Sequence, residues 1–284
     1  MANQHLLLYR GKENDRVEEA VKTIKNWCRD QGITLKEVSN QEDIKKEVES
    51  NNGEIVLLSL GGDGTFLQAA DLIAPYRIPI LGVNLGKLGF LTGLDASELD
   101  EDLTRVLSEG STIKELARLR CSFTEEEAGD KSVFSALNEV TISRSAAAGL
   151  AEVELFLDSK KVATYPGDGL IVSTPTGSTA YSLSCGGPLI TRNTSAFSIT
   201  PLNVHKLGLR PIICSDETKI QIKTNTPVSI HIDGRHIGDI GKKRRIKIDK
   251  SDTPTLMLIP DARSNFFETV RNKLNWDKDR GSRA

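Results

Sequence analysis

Four cysteines in 284 residues, Cys28, Cys121, Cys185 and Cys214, include no CxxC pair. That scatter argues against a zinc site and a disulfide framework, and it fits a reducing, cytoplasmic setting. No apolar run approaches the roughly 20 residues that a bilayer span needs, so no membrane partner is expected. The opening residues Met1-Ala2-Asn3-Gln4-His5 lack the basic and apolar regions of a signal peptide. Without secretion, the sequon Asn193-Thr194-Ser195 carries little meaning. Charge is nearly balanced: 37 basic and 39 acidic residues leave a net charge of −2. That gives no general pull toward nucleic acid or anionic lipid. The run Lys242-Lys243-Arg244-Arg245 continues into Ile246 and Ile248 alternating with charges, which reads as a strand with a solvated face. No internal repeat is visible. Two familiar phosphate-binding signatures also fail. Gly82 and Gly86 are separated by three residues, and Leu88 follows Lys87, so the segment is not a P-loop. Gly62-x-Gly64 is followed by Leu67 where the dinucleotide fingerprint needs a third glycine.

What is present indicates a folded chain of about two domains. Hydrophobic residues make up 38% and charged residues 27%, enough for a real core. The most informative stretch is Gly61-Gly62-Asp63-Gly64-Thr65. It follows the apolar run Ile55 to Leu60, which reads as a buried strand, and precedes Phe66 to Ile73, which reads as a helix. At such a corner backbone N–H groups and the positive end of a helix face outward. Glycines let a ligand approach without meeting a Cβ. Asp63 sits at the carboxyl end of a strand, where open α/β sheets bind ligands. The plainer reading is a tight turn with an N-cap aspartate.

In chain order, His5 to Tyr9 predicts a strand, and Val17, Ala20, Val21, Ile24 and Trp27 recur at helical spacing. Ile33 to Val38 predicts a second strand. Ile44 and Val48 mark a polar helix ending at Gly53, and Pro79 to Val83 the next strand after the Gly-Asp-Gly corner. This β-α-β-α-β-α-β order implies a parallel sheet covered by helices on both faces. The loop Asn84 to Thr92 then brings a cation, Lys87, and a ring, Phe90, to a neighbouring strand end. Residues 97–116 predict a helix through Leu99, Leu103, Val106 and Leu107, passing into a linker at Gly110. From Arg118 the runs Val153–Leu157, Ile199–Leu202, Lys219–Ile222 and Val228–Ile232 favour short strands, and Glu125 to Asp130 an acidic loop. Phe266, Phe267, Val270 and Leu274 form an amphipathic helix, and Asp277 to Ala284 a frayed tail. The expected fold class is an α/β N-terminal domain with a parallel sheet over residues 1–117, a β-rich domain over 118–255, and a helix and tail over 256–284 returning to the first domain.

A second glycine-rich stretch runs from Gly167 to Ile190. A short strand, Leu170 to Ser173, leads into a loop in which Ser173, Thr174, Thr176, Ser178 and Thr179 offer hydroxyls, with a helix start near Ser178. Tyr181 offers a flat surface for a purine. Asp168 can accept from an adenine amino group or a sugar hydroxyl.

Together, Gly61-Gly62-Asp63-Gly64-Thr65, Leu88-Gly89-Phe90-Leu91-Thr92, Asn138-Glu139 and Asp168-Gly169 through Pro188 resemble, in order and spacing, the motifs of NAD kinases. Arg210-Pro211 and Lys273-Leu274-Asn275-Trp276 extend the likeness over nearly the whole chain. Gly-Gly-Asp-Gly-Thr alone is also similar to diacylglycerol and sphingosine kinases and to phosphofructokinases. Ser173 to Tyr181 is the specific stretch. The resemblance implies an NAD kinase-like fold and transfer of the γ-phosphoryl of ATP to the 2′-hydroxyl of the adenosine ribose of NAD, giving NADP. It implies a divalent cation, Mg²⁺, with ATP as donor, and a homodimer or homotetramer.

The resemblance also implies roles. Asp63 would act on the 2′-hydroxyl, and Gly61, Gly62, Gly64 and Thr65 would form the phosphate loop. Asn138, Glu139 and Asp168 would hold the dinucleotide. Thr179, Ala180, Tyr181, Ser182, Leu183 and Ser184 would line the adenine side, with Tyr181 stacking and Phe90 closing the pocket. No protein side chain is assigned to the metal. With the acid in one domain and the nucleotide loop in the other, domain closure would assemble the site. Pro166 stands where some members have arginine, and Arg235 stands where many have glutamine, so Arg235 replaces that contact or sits idle. Two other readings stay open: a silent NADP-binding sensor on the same fold, and a lipid kinase, which would need an apolar patch that no run here supplies.

Overall fold

The computed structural model describes residues 4–51, 53–86, 89–96, 99–108, 111–124, 131–146, 149–206, 208–260 and 266–276. Lys87, Leu88, Gly110, the acidic segment 125–130 and the tail 277–284 lie outside them. The chain divides into two compact units, Met1–Glu115 with Thr255–Ala284, and Leu116–Pro254.

In chain order, the first unit begins β1 (Gln4–Arg10), α1 (Asp15–Gln31), β2 (Thr34–Glu37), α2 (Gln41–Ser50), β3 (Glu54–Gly61), α3 (Asp63–Ile73), β4 (Ile80–Asn84), β5 (Leu94–Asp95), α4 (Leu99–Ser108) and β6 (Ser111–Leu116). The second unit holds β7 (Leu119–Thr124), β8 (Lys131–Ala136), β9 (Glu139–Arg144), β10 (Ala151–Leu157), β11 (Lys160–Gly167), β12 (Gly169–Ser173), α5 (Tyr181–Ser184), β13 (Ala196–Leu202), β14 (Ile212–Ser215), β15 (Ile220–Thr224), β16 (Val228–Ile232), β17 (Arg235–Ile240) and β18 (Arg245–Lys250). The chain then rejoins the first unit with β19 (Thr255–Pro260) and α6 (Phe266–Leu274).

The sheet of the first unit runs β2-β1-β3-β4-β19-β6, with β5 on β4. Its pairs β1 with β2, β1 with β3, β3 with β4, β4 with β5 and β4 with β19 are all parallel. Apolar alternation sorts its side chains. Leu6, Leu8, Leu58, Leu60, Leu81 and Val83 share one core with Val17, Ile24 and Trp27 of α1 and Leu99, Leu103 and Val106 of α4. α3 packs against β3 with Phe66, Ala69, Ala70 and Ile73 buried. α1 is bounded by its caps: the Asn14 side chain accepts from the Val17 N–H, and Gly32 takes φ 68° at the C-terminus.

Three local readings of the sequence change here. The helix predicted over 97–116 stops at Ser108, and Ser111–Leu116 pairs into the sheet as β6. The helical spacing belongs to Leu99, Leu103, Val106 and Leu107, and Ser111–Leu116 carries its apolar residues Ile113 and Leu116 on a strand instead. β19 had no counterpart in the sequence reading. It is a near-continuous apolar run buried on both faces, which lacks the period-two signal of a half-buried strand. α3 starts at Asp63 rather than Phe66, with Gly62 as N-cap, so Asp63 is not an N-cap aspartate.

The second unit is a sandwich of two six-stranded sheets, β11-β10-β15-β18-β7-β8 and β14-β13-β12-β9-β16-β17. Its printed pairings are antiparallel throughout. Inward residues of both sheets, among them Val153, Leu155, Ile222 and Ile246 with Val140, Ile142, Leu170 and Val172, form one core. In β18, Ile246 and Ile248 are buried while Arg245 and Lys247 face out, as the alternation predicts.

Candidate functional site

The first unit supplies the Gly-Asp-Gly corner. β3 ends at Gly61, whose φ is 152°, and a Cβ there would run into the Thr65 side chain. Thr65 therefore lies folded under the turn, and Gly62 and Gly64 are exposed. Asp63 opens α3, but its carboxylate does not cap that helix. It reaches the loop after β4, where Oδ2 accepts the Phe90 N–H at 2.9 Å and Oδ1 accepts the Leu91 N–H at 2.9 Å. Gly89 makes this possible: a Cβ at Gly89 would fall on Asp63 Oδ1 and Thr92 Oγ1. Asn84, at the end of β4, shapes the start of the same loop, accepting from the Gly86 N–H and donating to the Gly86 carbonyl, each at 3.2 Å. The Lys273 ammonium on α6 lies 3.6 Å from Asp63 Oδ2 and 4.4 Å from the centre of the Phe90 ring. So the structure brings Asp63 and Phe90 together as the sequence places them, and adds Lys273.

The second unit builds a corner of its own. Leu137 and Asn138 link β8 to β9, which Glu139 opens. Three successive N–H groups, of Leu137, Asn138 and Glu139, donate to the Asp233 carboxylate at 2.8, 2.8 and 3.0 Å. Asp233 comes from the two-residue turn between β16 and β17, with φ 47° at Asp233 and 78° at Gly234, the turn that Asp-Gly favours. The glycine-rich loop grips the same corner from its other side. The Thr174 N–H donates to the Asn138 carbonyl at 2.9 Å, and Thr174 Oγ1 to the Leu137 carbonyl at 2.6 Å.

That loop turns most of its hydroxyls inward. Ser173, Thr174, Ser178 and Ser182 are fully buried. Ser178 Oγ binds the Pro175 carbonyl and the Ile190 N–H, and Ser182 Oγ binds Thr200 Oγ1. These hydroxyls, read from the sequence as donors to a ligand, build the loop instead. Thr179 donates to the Thr176 carbonyl and is half-buried with Ala180 and Leu183, while Tyr181 and Ser184 are exposed on α5.

The acids of this unit sit in contrasting surroundings. Asp168 is partly exposed, accepts from Asn203 at 2.8 Å and faces the Arg144 guanidinium at 3.3 Å. Glu139 is buried, and its Oε2 has no protein partner. Burial, and then the neighbouring Asp233, push the Glu139 carboxyl up to about 8. Burial raises Asp233 as well, but its three N–H donors and the buried Arg118 pull it back. At neutral pH Glu139 therefore keeps its proton. Burial and a hydrogen bond with Cys185 raise the Tyr181 hydroxyl, which also feels Asp168 and Glu139. Glu139, Asp168 and Tyr181 thus share one neighbourhood. Arg235 is exposed at the start of β17, next to the Asp233 turn. The sequence reading gave neither Asp233 nor Lys273 a role in the site. The Asp-Gly pair of a tight hairpin marked the first as a turn residue, and the second stood only within the stretch Lys273-Leu274-Asn275-Trp276.

The domain families described as ATP-NAD kinase N-terminal domain and ATP-NAD kinase C-terminal domain match residues 10–111 and 137–259. An NAD kinase of Caldanaerobacter subterraneus is 37% identical over 270 residues, 92% of this chain and 95% of its own. An NAD kinase of Flavobacterium psychrophilum is 37% identical over 253 residues, 87% of this chain and 82% of its own. A yeast NADH kinase solved in complex with NADH superposes with a TM-score of 0.87 at 21% identity, covering 98% of this chain and 89% of its own. An NAD kinase of Archaeoglobus fulgidus in complex with ATP gives 0.76 at 24%, covering 94% and 98%. At those identities the two structures speak for the fold. With both domain families matched and full-length relatives well above 30% identity, this chain belongs to the NAD kinase family.

Proposed function

We infer that this chain is an NAD kinase that transfers the γ-phosphoryl of ATP to the 2′-hydroxyl of the adenosine ribose of NAD, and that Asp63 is the base of that step. The product is NADP, with ADP and a proton released. The observation that carries the assignment is the Asp63 carboxylate, held at the strand–helix corner by the N–H groups of Phe90 and Leu91. Each oxygen spends one acceptor site on the backbone and keeps another for a substrate hydroxyl. Phosphoryl transfer depends on in-line positioning and charge neutralisation more than on covalent help. A fixed carboxylate that takes the hydroxyl proton supplies the remainder.

The exposed glycines of the turn open α3 to phosphate oxygens at its N-terminus. In the second unit, Asn138, Glu139 and Asp168 hold the adenosine portion, Tyr181 stacks on the adenine, and Arg235 reaches the dinucleotide from the hairpin. Among the described residues no three His, Cys, Asp or Glu side chains converge on a metal position. Mg²⁺ comes to the reaction bound to the phosphates of the ATP substrate. A homodimer or homotetramer working in the cytoplasm goes with this reading. Its four free thiols suit a reducing compartment, and among the described residues no helix is long and apolar enough to cross a membrane. The relatives above are kinases of NAD, and neither a lipid kinase nor a silent sensor has support.

The test is NADP formation from NAD, ATP and Mg²⁺ by the wild type and by Asp63→Asn. The variant should bind NAD normally and lose about 10²–10⁴-fold in turnover. Turnover at the wild-type rate removes Asp63 from the chemistry.

A further inference from the structure

Lys273 reaches the catalytic corner from α6, 210 residues after Asp63 (273 − 63). Its ammonium lies 3.6 Å from Asp63 Oδ2, too far for a hydrogen bond. Its other contact is the face of the Phe90 ring at 4.4 Å. A cation over a ring is held by the ring's quadrupole and spends no N–H donor. Among the described residues the ammonium has no hydrogen-bond acceptor, so its three donors are not committed to protein. The side chain is 27% exposed, so much of its stem is out of water.

Asp63 does not need this lysine for its position, because the Phe90 and Leu91 N–H groups already fix both oxygens. A lysine that pairs tightly with a carboxylate closes to hydrogen-bond distance, as Lys250 does with the more deeply buried Asp216 at 2.7 Å. Lys273 instead stands pinned beside the carboxylate with its donors unspent. That is the arrangement expected of a cation whose partner is an anion delivered to the same place.

We propose that Lys273 is a further catalytic residue of the phosphoryl transfer, its ammonium binding the non-bridging oxygens of the phosphoryl group as that group passes to the hydroxyl addressed by Asp63. The proposal rests on the reading of Asp63 as the base. In the step, the 2′-oxygen forms a new bond to Pγ, and the bond from Pγ to the β,γ-bridging oxygen breaks with its electron pair leaving on ADP. The 2′-hydroxyl proton passes to Asp63 and on to solvent. Negative charge on the transferring oxygens is what an ammonium at this position stabilises. Phe90 acquires a second purpose in this arrangement: its backbone orients the base, and its ring orients the cation.

The experiment compares kcat, KM for ATP and the NAD dissociation constant for full-length wild type, Lys273→Met, Lys273→Arg and Asp63→Asn, with melting temperatures for each. Lys273→Met keeps an unbranched stem and removes the charge. It should lower kcat about 100-fold, as loss of one charge-stabilising donor does, with NAD affinity and melting temperature unchanged. Lys273→Arg should recover about tenfold of that loss, because a guanidinium also binds phosphoryl oxygens. Three outcomes overturn the proposal: unchanged kcat in Lys273→Met, equal losses in the Met and Arg variants, or a loss of kcat that travels with lost NAD binding and a lowered melting temperature. If Asp63→Asn turns over normally while Lys273→Met does not, the Asp63 assignment falls and the lysine keeps its role.

Discussion

Glu139 makes the site costly to fold, and the cost depends on pH in a way that one substitution isolates. Its carboxyl is pushed from 4.5 to about 8 in the folded chain, by burial first and by Asp233 second. Above pH 4.5 the unfolded chain has released this proton, and the folded chain has not. The folded state therefore binds more protons than the unfolded state, and stability falls as pH rises until the folded group also titrates near pH 8. The interval spans about 3.5 pH units (8 − 4.5), and at about 1.4 kcal/mol per unit the full penalty is about 5 kcal/mol. At pH 7 about 2.5 units have been crossed, giving about 3 kcal/mol.

Glu139→Gln keeps the shape and the donor but has no proton to lose. Titrating groups that do not sense Glu139 cancel between the two proteins, so the stability difference isolates this residue and its coupling to Asp233. Urea unfolding followed by far-ultraviolet circular dichroism should show near-equal stabilities at pH 5. The variant should be about 3 kcal/mol more stable at pH 7 and about 5 kcal/mol more stable at pH 8.5. A gap that stays flat from pH 5 to pH 8.5 would refute the reasoning, since it would mean that Glu139 is ionised in the folded protein throughout.

Asp233→Ala removes the acceptor of three N–H groups and takes the carboxylate away from the buried Arg118. Urea unfolding should report a loss of about 3–5 kcal/mol, the cost of breaking a buried charge pair, and a loss under about 1 kcal/mol would disprove the clamp. Gly89→Ala would push a methyl group into Asp63 Oδ1 and displace the carboxylate. Steady-state assay should show kcat down about 100-fold, the scale of an ångström of misplacement, and an undiminished rate would show that the carboxylate has room to spare.

The sequence was legible where a residue's environment repeats locally. Val17, Val21 and Ile24 announce a helix because one face repeats every turn, and Val228, Ile230 and Ile232 announce a strand because one face repeats every second residue. The place of Asp63 at a strand end was legible because the apolar run before it and the glycines around it mark a strand–helix turn. The remainder depends on partners far along the chain. The Asp233 carboxylate serves Asn138 across 95 positions, and its sequence surroundings show only a tight turn. Lys273 looks like any helix-face lysine until the fold brings it to Asp63 and the Phe90 ring. Composition also conceals direction. The hydroxyls of Ser173, Thr174 and Ser178 suggested a binding loop, yet they close hydrogen bonds within it and to the Leu137 carbonyl beside it. A loop packed this close to its own backbone must satisfy its buried donors and acceptors before it can offer any to a ligand.

Backbone N–H groups sort the acids of this protein into separate tasks. Asp63 takes two of them and Asp233 takes three, and neither set comes from a mobile side chain. Amide donors supply no full charge, so they can fix a carboxylate without forming a salt bridge that a phosphate would compete to break. Glu139, one residue from the same corner, uses its own N–H to serve Asp233 while its Oε2 is left without a protein donor. Its answer to burial is to keep its proton. One structural motif, a carboxylate seated on successive N–H groups, thus yields a fixed acceptor at each corner. Its absence at Glu139 yields a neutral acid that can donate. A carboxylate fixed as an acceptor and a carboxyl that keeps its proton are opposite states of one functional group, and this chain reaches both by placing the amides under Asp63 and Asp233 and leaving the Glu139 Oε2 without a donor.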